Sequence, residues 1–285
     1  MKRKLIILIG LVLGVMNLNA KLTVEQQQRF DYYYYEAIRL FQAEDFGEAY
    51  QMFRFCYLLN PEDAMTNLYL GILYDGSRET ERAVYFYRRA NKLEKGNTYI
   101  KGNLLKADLM TGRLKEAMKL QKELDKINGY DVYSAMTRYR IHVMMKKYNA
   151  AANDIDHYLM YDPENLQFRY FQIQILETIK ASTKRLGKAY EALLSLDPNN
   201  AIVLNNYAYM LSNRHGNLQL AEELSRKALQ QDRNNATFLD TYAWILYLRG
   251  EKELAAFYIQ KAIEQYNGSD VPPTLLKHYK TINHK

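Results

Sequence analysis

The side chains able to do chemistry are scattered thinly along this sequence. The five histidines, His142, His157, His215, His278 and His284, form no HExxH or paired pattern. A metal site needs several ligands at fixed spacing, and the single cysteine, Cys56, supplies no thiolate cluster. His142 reads as a satisfied core or interface histidine. The acidic stretches "YDPEN" (161–165) and "LDPNN" (196–200) have the composition of turns. No GxSxG elbow, phosphate-cradling loop or glycine fingerprint occurs. The sequence therefore predicts no enzyme, no metal and no cofactor. Two Asn-x-Ser/Thr sequons, at Asn235 and Asn267, match so short a pattern that they carry little weight.

What remains is the chemistry of recognition. The chain has 26 tyrosines and one tryptophan, and "DYYYYEAIRLF" (31–41) sets four tyrosines in succession. Consecutive helical side chains point about 100° apart, so four neighbouring rings cannot all enter one core. Some of them must serve another surface. Rings supply desolvation energy to a partner, and amide side chains can bond its backbone.

Composition narrows the setting. At 285 residues, 48% hydrophobic and 25% charged, the chain has ordinary globular character. Its formal charge is +7, of which Lys2, Arg3 and Lys4 supply +3, leaving +4, too mild to argue for nucleic acid. "MKRKLIILIGLVLGVMNLNA" (1–20) has a basic start, a 12-residue apolar stretch from Leu5 to Met16, and a small residue, Ala20, for cleavage. It reads as a secretory signal, since a bilayer span needs roughly 20 apolar residues; an uncleaved anchor is the alternative. No cysteine stands at the expected cleavage point, so a lipid anchor is not expected. A periplasmic or secreted protein without an integral membrane span follows. Cys56 has no partner for an internal disulfide and is expected as a small core residue.

The elements that position these groups follow a period. Ala49, Ala83, Ala117 and Ala151 are each separated by 34 residues. Four residues after each comes Phe53, Tyr87, Gln121 and Ile155, and seven after, Cys56, Ala90, Leu124 and Tyr158. Those offsets keep side chains on one helical face. At twelve after come Pro61, Lys95, Gly129 and Pro163, where a helix should stop. A second helical stripe lies upstream of each Ala, for instance Asn67, Leu70, Gly71 and Tyr74; small residues there, Gly71 or Ala37, let the partner helix approach closely.

Through these positions the chain resembles the tetratricopeptide repeat family, whose unit is a 34-residue helix-turn-helix. The resemblance implies an all-α solenoid of seven units, at 30–63, 64–97, 98–131, 132–165, 166–200, 201–235 and 236–269. The last two are clearest, with Leu204, Tyr207, Ala208, Leu211, Ala221 and Ala228, then Leu239, Tyr242, Ala243, Leu246, Gly250, Ala255 and Ala262. They look like the tails of exported bacterial members of this family. The third unit departs from the pattern, with Lys101 where an aromatic is favoured and Asp108 on the core stripe. Units five and six each carry an extra residue, placed in "ASTKR" and "RHGN", and Leu186 replaces the expected Ala. Residues 21–29 are expected as an N-terminal cap and 270–285 as a capping helix and tail, with Leu275, Tyr279 and Ile282 on its stripe.

In the resembling family the first helix of each unit lines a concave groove, through its second, fifth, ninth, twelfth and thirteenth places. This implies a ligand-binding wall of Tyr34, Ile38, Phe41, Tyr99, Tyr133, Met136, Arg140, Tyr170, Asn205, Tyr209, Trp244 and Tyr247. Met65, Leu68, Ile72, Leu109, Met110, Met144, Gln174, Ile202 and Asn213 extend it. Tyr33 takes a core place, Tyr32 faces the side a preceding repeat would cover, and Tyr35 lies at the groove's edge. Such apolar surface usually marks a partner site. Trp244 is the sharpest single candidate, with contact to the C-terminal helix as its competing assignment. Lys106, Arg140, Asn205 and Asn206 are too scattered to form the cluster with which some family members grip a C-terminal carboxylate. The expected function is a protein-interaction scaffold holding a protein or peptide segment in the cell envelope. Binding of cell-wall glycan, or a homo-oligomer that fills the groove with another copy, are the alternatives.

Overall fold

A helical hairpin needs a start, a turn and a stop, and this chain repeats all three. The computed structural model describes residues 22–266 and 270–283. The expected signal segment, Asn267 and His284 lie outside the described residues. Among the described residues there are fifteen helices and no strand, which makes the fold all-α.

Two compact units divide the chain, the first ending at Gly129 and the second starting at Tyr130. Unit one contains α1 (Val24–Gln42), α2 (Phe46–Leu59), α3 (Ala64–Gly76), α4 (Thr80–Leu93), α5 (Thr98–Met110) and α6 (Leu114–Asn128). Unit two contains α7 (Val132–Met144), α8 (Tyr148–Leu159), α9 (Leu166–Thr178), α10 (Thr183–Leu196), α11 (Ala201–Asn213), α12 (Leu218–Gln231), α13 (Ala236–Leu248), α14 (Lys252–Glu264) and α15 (Pro273–Asn283). Each odd-numbered helix up to α13 packs on its successor as a hairpin, and α15 packs on α13 and α14.

The starts are set by short polar caps. Asp63, Asn97, Asp131, Asn165, Asn200 and Asn235 each accept a backbone N–H from the first turn of the helix that follows. Each such cap is worth about 1 kcal/mol. Thr23 and Gln26 do the same reciprocally for α1. That capping box starts α1 at Val24, so residues 24–29 are the first turns of the first helix. The separate N-terminal cap expected over 21–29 is corrected accordingly.

The turns share one backbone device. The second residue after each first helix is left-handed: Glu44, Arg78, Gly112, Lys146, Lys180, His215 and Gly250, with φ between 51° and 86°. The next N–H then reaches back five residues, as from Asp45 to the Leu40 carbonyl at 3.0 Å and from Glu251 to that of Leu246 at 2.9 Å. The turns 179–182 and 214–217 are one residue longer than the others, and the added residues, Ser182 and Asn217, cap the following helix with their side chains. Five of these seven left-handed positions carry a side chain, at a cost of about 1 kcal/mol each. Lys146→Gly and Lys180→Gly are therefore expected to raise the denaturant midpoint of unit two, by about 0.5–1 kcal/mol each. Gly250→Ala should lower it by a similar amount.

The period of 34 is the period of the core. Ala49, Ala83, Ala117, Ala151, Ala221 and Ala255 are fully buried, as is Leu186 at the equivalent place in the fifth hairpin. The two charges that break the pattern in α5 are neutralised from neighbouring second helices. Lys101, buried, pairs with Glu123 of α6 at 2.6 Å; Asp108, also buried, pairs with Arg88 of α4 at 3.2 Å. Burial nevertheless raises the Asp108 pKa, the Arg88 charge pulling the other way.

Candidate functional site

In unit one the opening tyrosines divide as their 100° spacing requires. Tyr32 and Tyr35 are exposed, Tyr33 stacks on Phe55 at 5.0 Å, and Tyr34 packs edge-on to Phe53 at 6.1 Å. Burial, with the Asp63 charge adding to it, pushes the Tyr34 hydroxyl up to about 12, so it stays a protonated donor. Tyr34, Ile38 and Phe41 all border the core around Ala37, Phe53 and Leu70 and are half-buried. Leu68 is wholly buried and leaves the binding wall, whereas Tyr99 is exposed.

Beside this wall, the first two hairpins enclose an apolar cleft of about 590 Å³. Phe41 and Ile72 open into it from the first helices, with Leu73 and Tyr74 from α3 and Phe46 and Tyr50 from the start of α2. Phe46 meets Phe41 edge-on at 5.4 Å, and the Tyr50 and Tyr74 hydroxyls are 2.8 Å apart. At the mouth, Arg82 lies over the Tyr74 ring at 5.5 Å and pairs with Glu79 at 2.8 Å. Burial raises the Tyr74 pKa, its bond to Tyr50 adding to the effect. This is the shape of a ligand-sized pocket, mostly apolar with a few convergent polar groups. Phe46 and Tyr50 were outside the expected wall because they sit on a second helix.

In unit two, Tyr133, Arg140, Tyr170 and Tyr209 are exposed, and Met136 is half-buried against the core. Asn200 donates to the Tyr170 hydroxyl at 3.0 Å and so fixes its orientation. One expected binding residue, Asn205, is buried, and another, Trp244, is half-buried. Asn205 is 2% exposed, inside the core of α11, and is closed to a ligand. Trp244 is partly covered by α15, its ring stacked on that of His278 at 4.3 Å and 12° and on that of Tyr247 at 5.5 Å. His278 is itself buried and bonds Asp240 at 2.8 Å, so ring stacking and an imidazole–carboxylate contact together pin α15 to α13. The indole nitrogen is buried without an acceptor. Tyr247 is half-buried by the same arrangement.

His142 bonds Asp154 at 2.5 Å, joining α7 to α8, and is a satisfied structural histidine. Cys56 is buried, and burial pushes its thiol up to about 12, so it is a core residue and a poor nucleophile. Among the described residues no three His, Cys, Asp or Glu side chains converge as metal ligands, and no helix is long and apolar enough to cross a membrane.

Known proteins resemble this chain in sequence and in fold. A tetratricopeptide repeat profile matches residues 189–223, the end of the fifth hairpin and start of the sixth. A TPR repeat-containing protein of Pseudomonas aeruginosa is 26% identical over 208 residues, 71% of this chain, and the chain spans about a third (34%) of that relative's length. Among solved structures, Naa15/Naa10 bound to HypK-THB aligns with a TM-score of 0.67 at 14% identity, covering 90% of this chain and 41% of that one. The C-terminal part of a TPR repeat-containing protein from Cytophaga hutchinsonii aligns with a TM-score of 0.59 at 12% identity, covering 86% and 98%. The 34-residue core period, the repeated turn, the matching profile and these folds agree: the chain has a helical-repeat fold similar to that of tetratricopeptide-repeat proteins.

Proposed function

We propose that this protein is a non-enzymatic scaffold of the cell envelope that binds an apolar segment of a partner protein, with the cleft between the first two hairpins as its main anchor site. The observation that carries the proposal is the cleft itself, with room for several side chains and walls made of Phe41, Phe46, Tyr50, Ile72, Leu73 and Tyr74. Aromatic anchors in a concave apolar pocket dominate interface energetics. The exposed Tyr99 of the same unit offers further ring surface. The fold supports this reading, since a similar solenoid occurs in the Naa15/Naa10 assembly with HypK. The envelope location rests on the signal-like residues 1–20.

Phe46 is half-exposed, so truncating it removes an anchor contact at little cost to the fold. With the mature chain as bait for envelope extract, Phe46→Ala and Phe46→Arg should reduce capture of the co-purifying protein at least tenfold. Helical content and melting should be unchanged. Capture by purified cell-wall glycan in place of protein, or undiminished capture by Phe46→Arg, would overturn the assignment.

A further inference from the structure

The second helices of unit one carry a feature that the apolar cleft does not use. Residues 79–95 and 113–128 hold ten Lys or Arg against six Asp or Glu, and that surplus of four equals the surplus of the whole chain after residue 20. The charge gathers around a cavity of about 390 Å³ between α4 and α6, lined by Arg88, Arg89, Lys92 and Arg113 with Glu81, Val84 and Tyr85. Four cations face Glu81, Glu116 and the buried Asp108, which leaves an excess of about one positive charge.

Three of these cations are already held in place. Arg89 donates to the Asn67 side chain at 3.2 Å and the Pro61 carbonyl at 2.9 Å, with its guanidinium over the Tyr57 and Tyr85 rings. Arg88 is fixed by Asp108, and Arg113 by Glu81 through Nη2. The other Arg113 nitrogen, Nη1, is buried and meets no acceptor. The Arg113 guanidinium contributes charge to the cavity wall that it lines. Arg113 also stands at the start of α6, which no side chain caps, so the positive end of the helix dipole has the same sign. Lys92 is exposed and meets no acceptor among the described residues.

We infer that this cavity is an oxyanion site for a phosphate group, with Lys92 Nζ as the free donor and the Arg88, Arg89 and Arg113 guanidinium groups as pre-positioned charge. The remaining positive charge attracts a phosphate group, and guanidinium forks match its oxygens. The group could come from a soluble phosphate or a lipid headgroup, and the two are separated by experiment.

Inorganic phosphate titrated at low ionic strength into the isotopically labelled mature chain should perturb the amide signals of residues 84–92 and 113–116. Lys92→Gln should weaken this binding about threefold, and Lys92→Gln with Arg113→Gln at least tenfold. Lys119→Gln with Lys122→Gln, which lie on α6 outside the cavity, should leave it unchanged. Sedimentation with phosphatidylglycerol vesicles, against phosphatidylcholine alone, adds the second arm. Vesicle binding lost in the Lys92/Arg113 double variant assigns a lipid headgroup, whereas binding of free phosphate alone assigns a soluble anion; both support the site. Absence of binding in both arms overturns it. So does equal weakening by the Lys119/Lys122 variant, because the attraction would then be diffuse.

Discussion

Gly71→Leu is expected to destabilise unit one by about 3 kcal/mol, read as a fall in its urea midpoint. A Cβ at position 71 would lie 2.6 Å from both Cδ1 and Cε1 of Tyr87, far inside van der Waals contact. The Tyr87 ring is 1% exposed, fixed in the core of α4, and has nowhere to swing. Relief must then come from separating α3 and α4, which opens the core around the fully buried Ala83. Gly71→Ala should cost less, about 1 kcal/mol, because the better helix propensity of alanine offsets part of the clash. The contact is pairwise, so adding Tyr87→Ala to Gly71→Leu should recover stability even though Tyr87→Ala alone loses it. An unchanged midpoint in Gly71→Leu would mean that the hairpin does not depend on this approach. The same variant should weaken partner capture, since α3 carries Ile72, Leu73 and Tyr74 of the cleft.

The second large effect is expected at His278. Its ring is sandwiched into unit two by Trp244 at 4.3 Å and by the Asp240 carboxylate at 2.8 Å, with His278 and Asp240 buried and Trp244 half-buried. His278→Ala removes the stack and leaves Asp240 without its partner in a poorly hydrated place. Breaking such a pair costs about 3 kcal/mol, much of it the unpaired carboxylate. α15 has only 11 residues and cannot stay helical without tertiary contacts. Its amides should therefore lose hydrogen-exchange protection as a group. Trp244 is the only tryptophan of the chain, so its fluorescence should shift to the red in the same variant. Adding Asp240→Asn should restore part of the loss by removing the stranded charge. Retained protection over 273–283 in His278→Ala would show that Leu275 and Ile282 hold the helix unaided.

Much of the fold was legible because it is written in local signals. Alanines at a fixed spacing, Asp or Asn before each first helix and a turn three or four residues long all act within one hairpin. The extra residues of units five and six were legible for the same reason, since Ser182 and Asn217 are themselves capping residues. The start of α1 was missed although Thr23 and Gln26 carry the capping-box pattern, because the repeat boundary at residue 30 hid it. The site was less legible. The second-helix rings Phe46 and Tyr50 enter the cleft from a surface that a rule confined to first helices leaves out. The partial covering of Trp244 depends on where His278 of α15 docks, 34 residues downstream, and no local pattern encodes that. Asp108 and Lys101 appeared as defects in a stripe because their partners, Arg88 and Glu123, lie 20 and 22 residues away.

The lone thiol of the chain gives the first hairpin an internal clock. Cys56 is sealed between helices, its sulfur directed at the Phe30 carbonyl 3.9 Å away, and burial keeps it protonated. A small alkylating reagent can reach it only during moments when α1 and α2 part. The labelling rate thus counts those openings with no engineered probe, and an anchor seated against the neighbouring rings would slow the count.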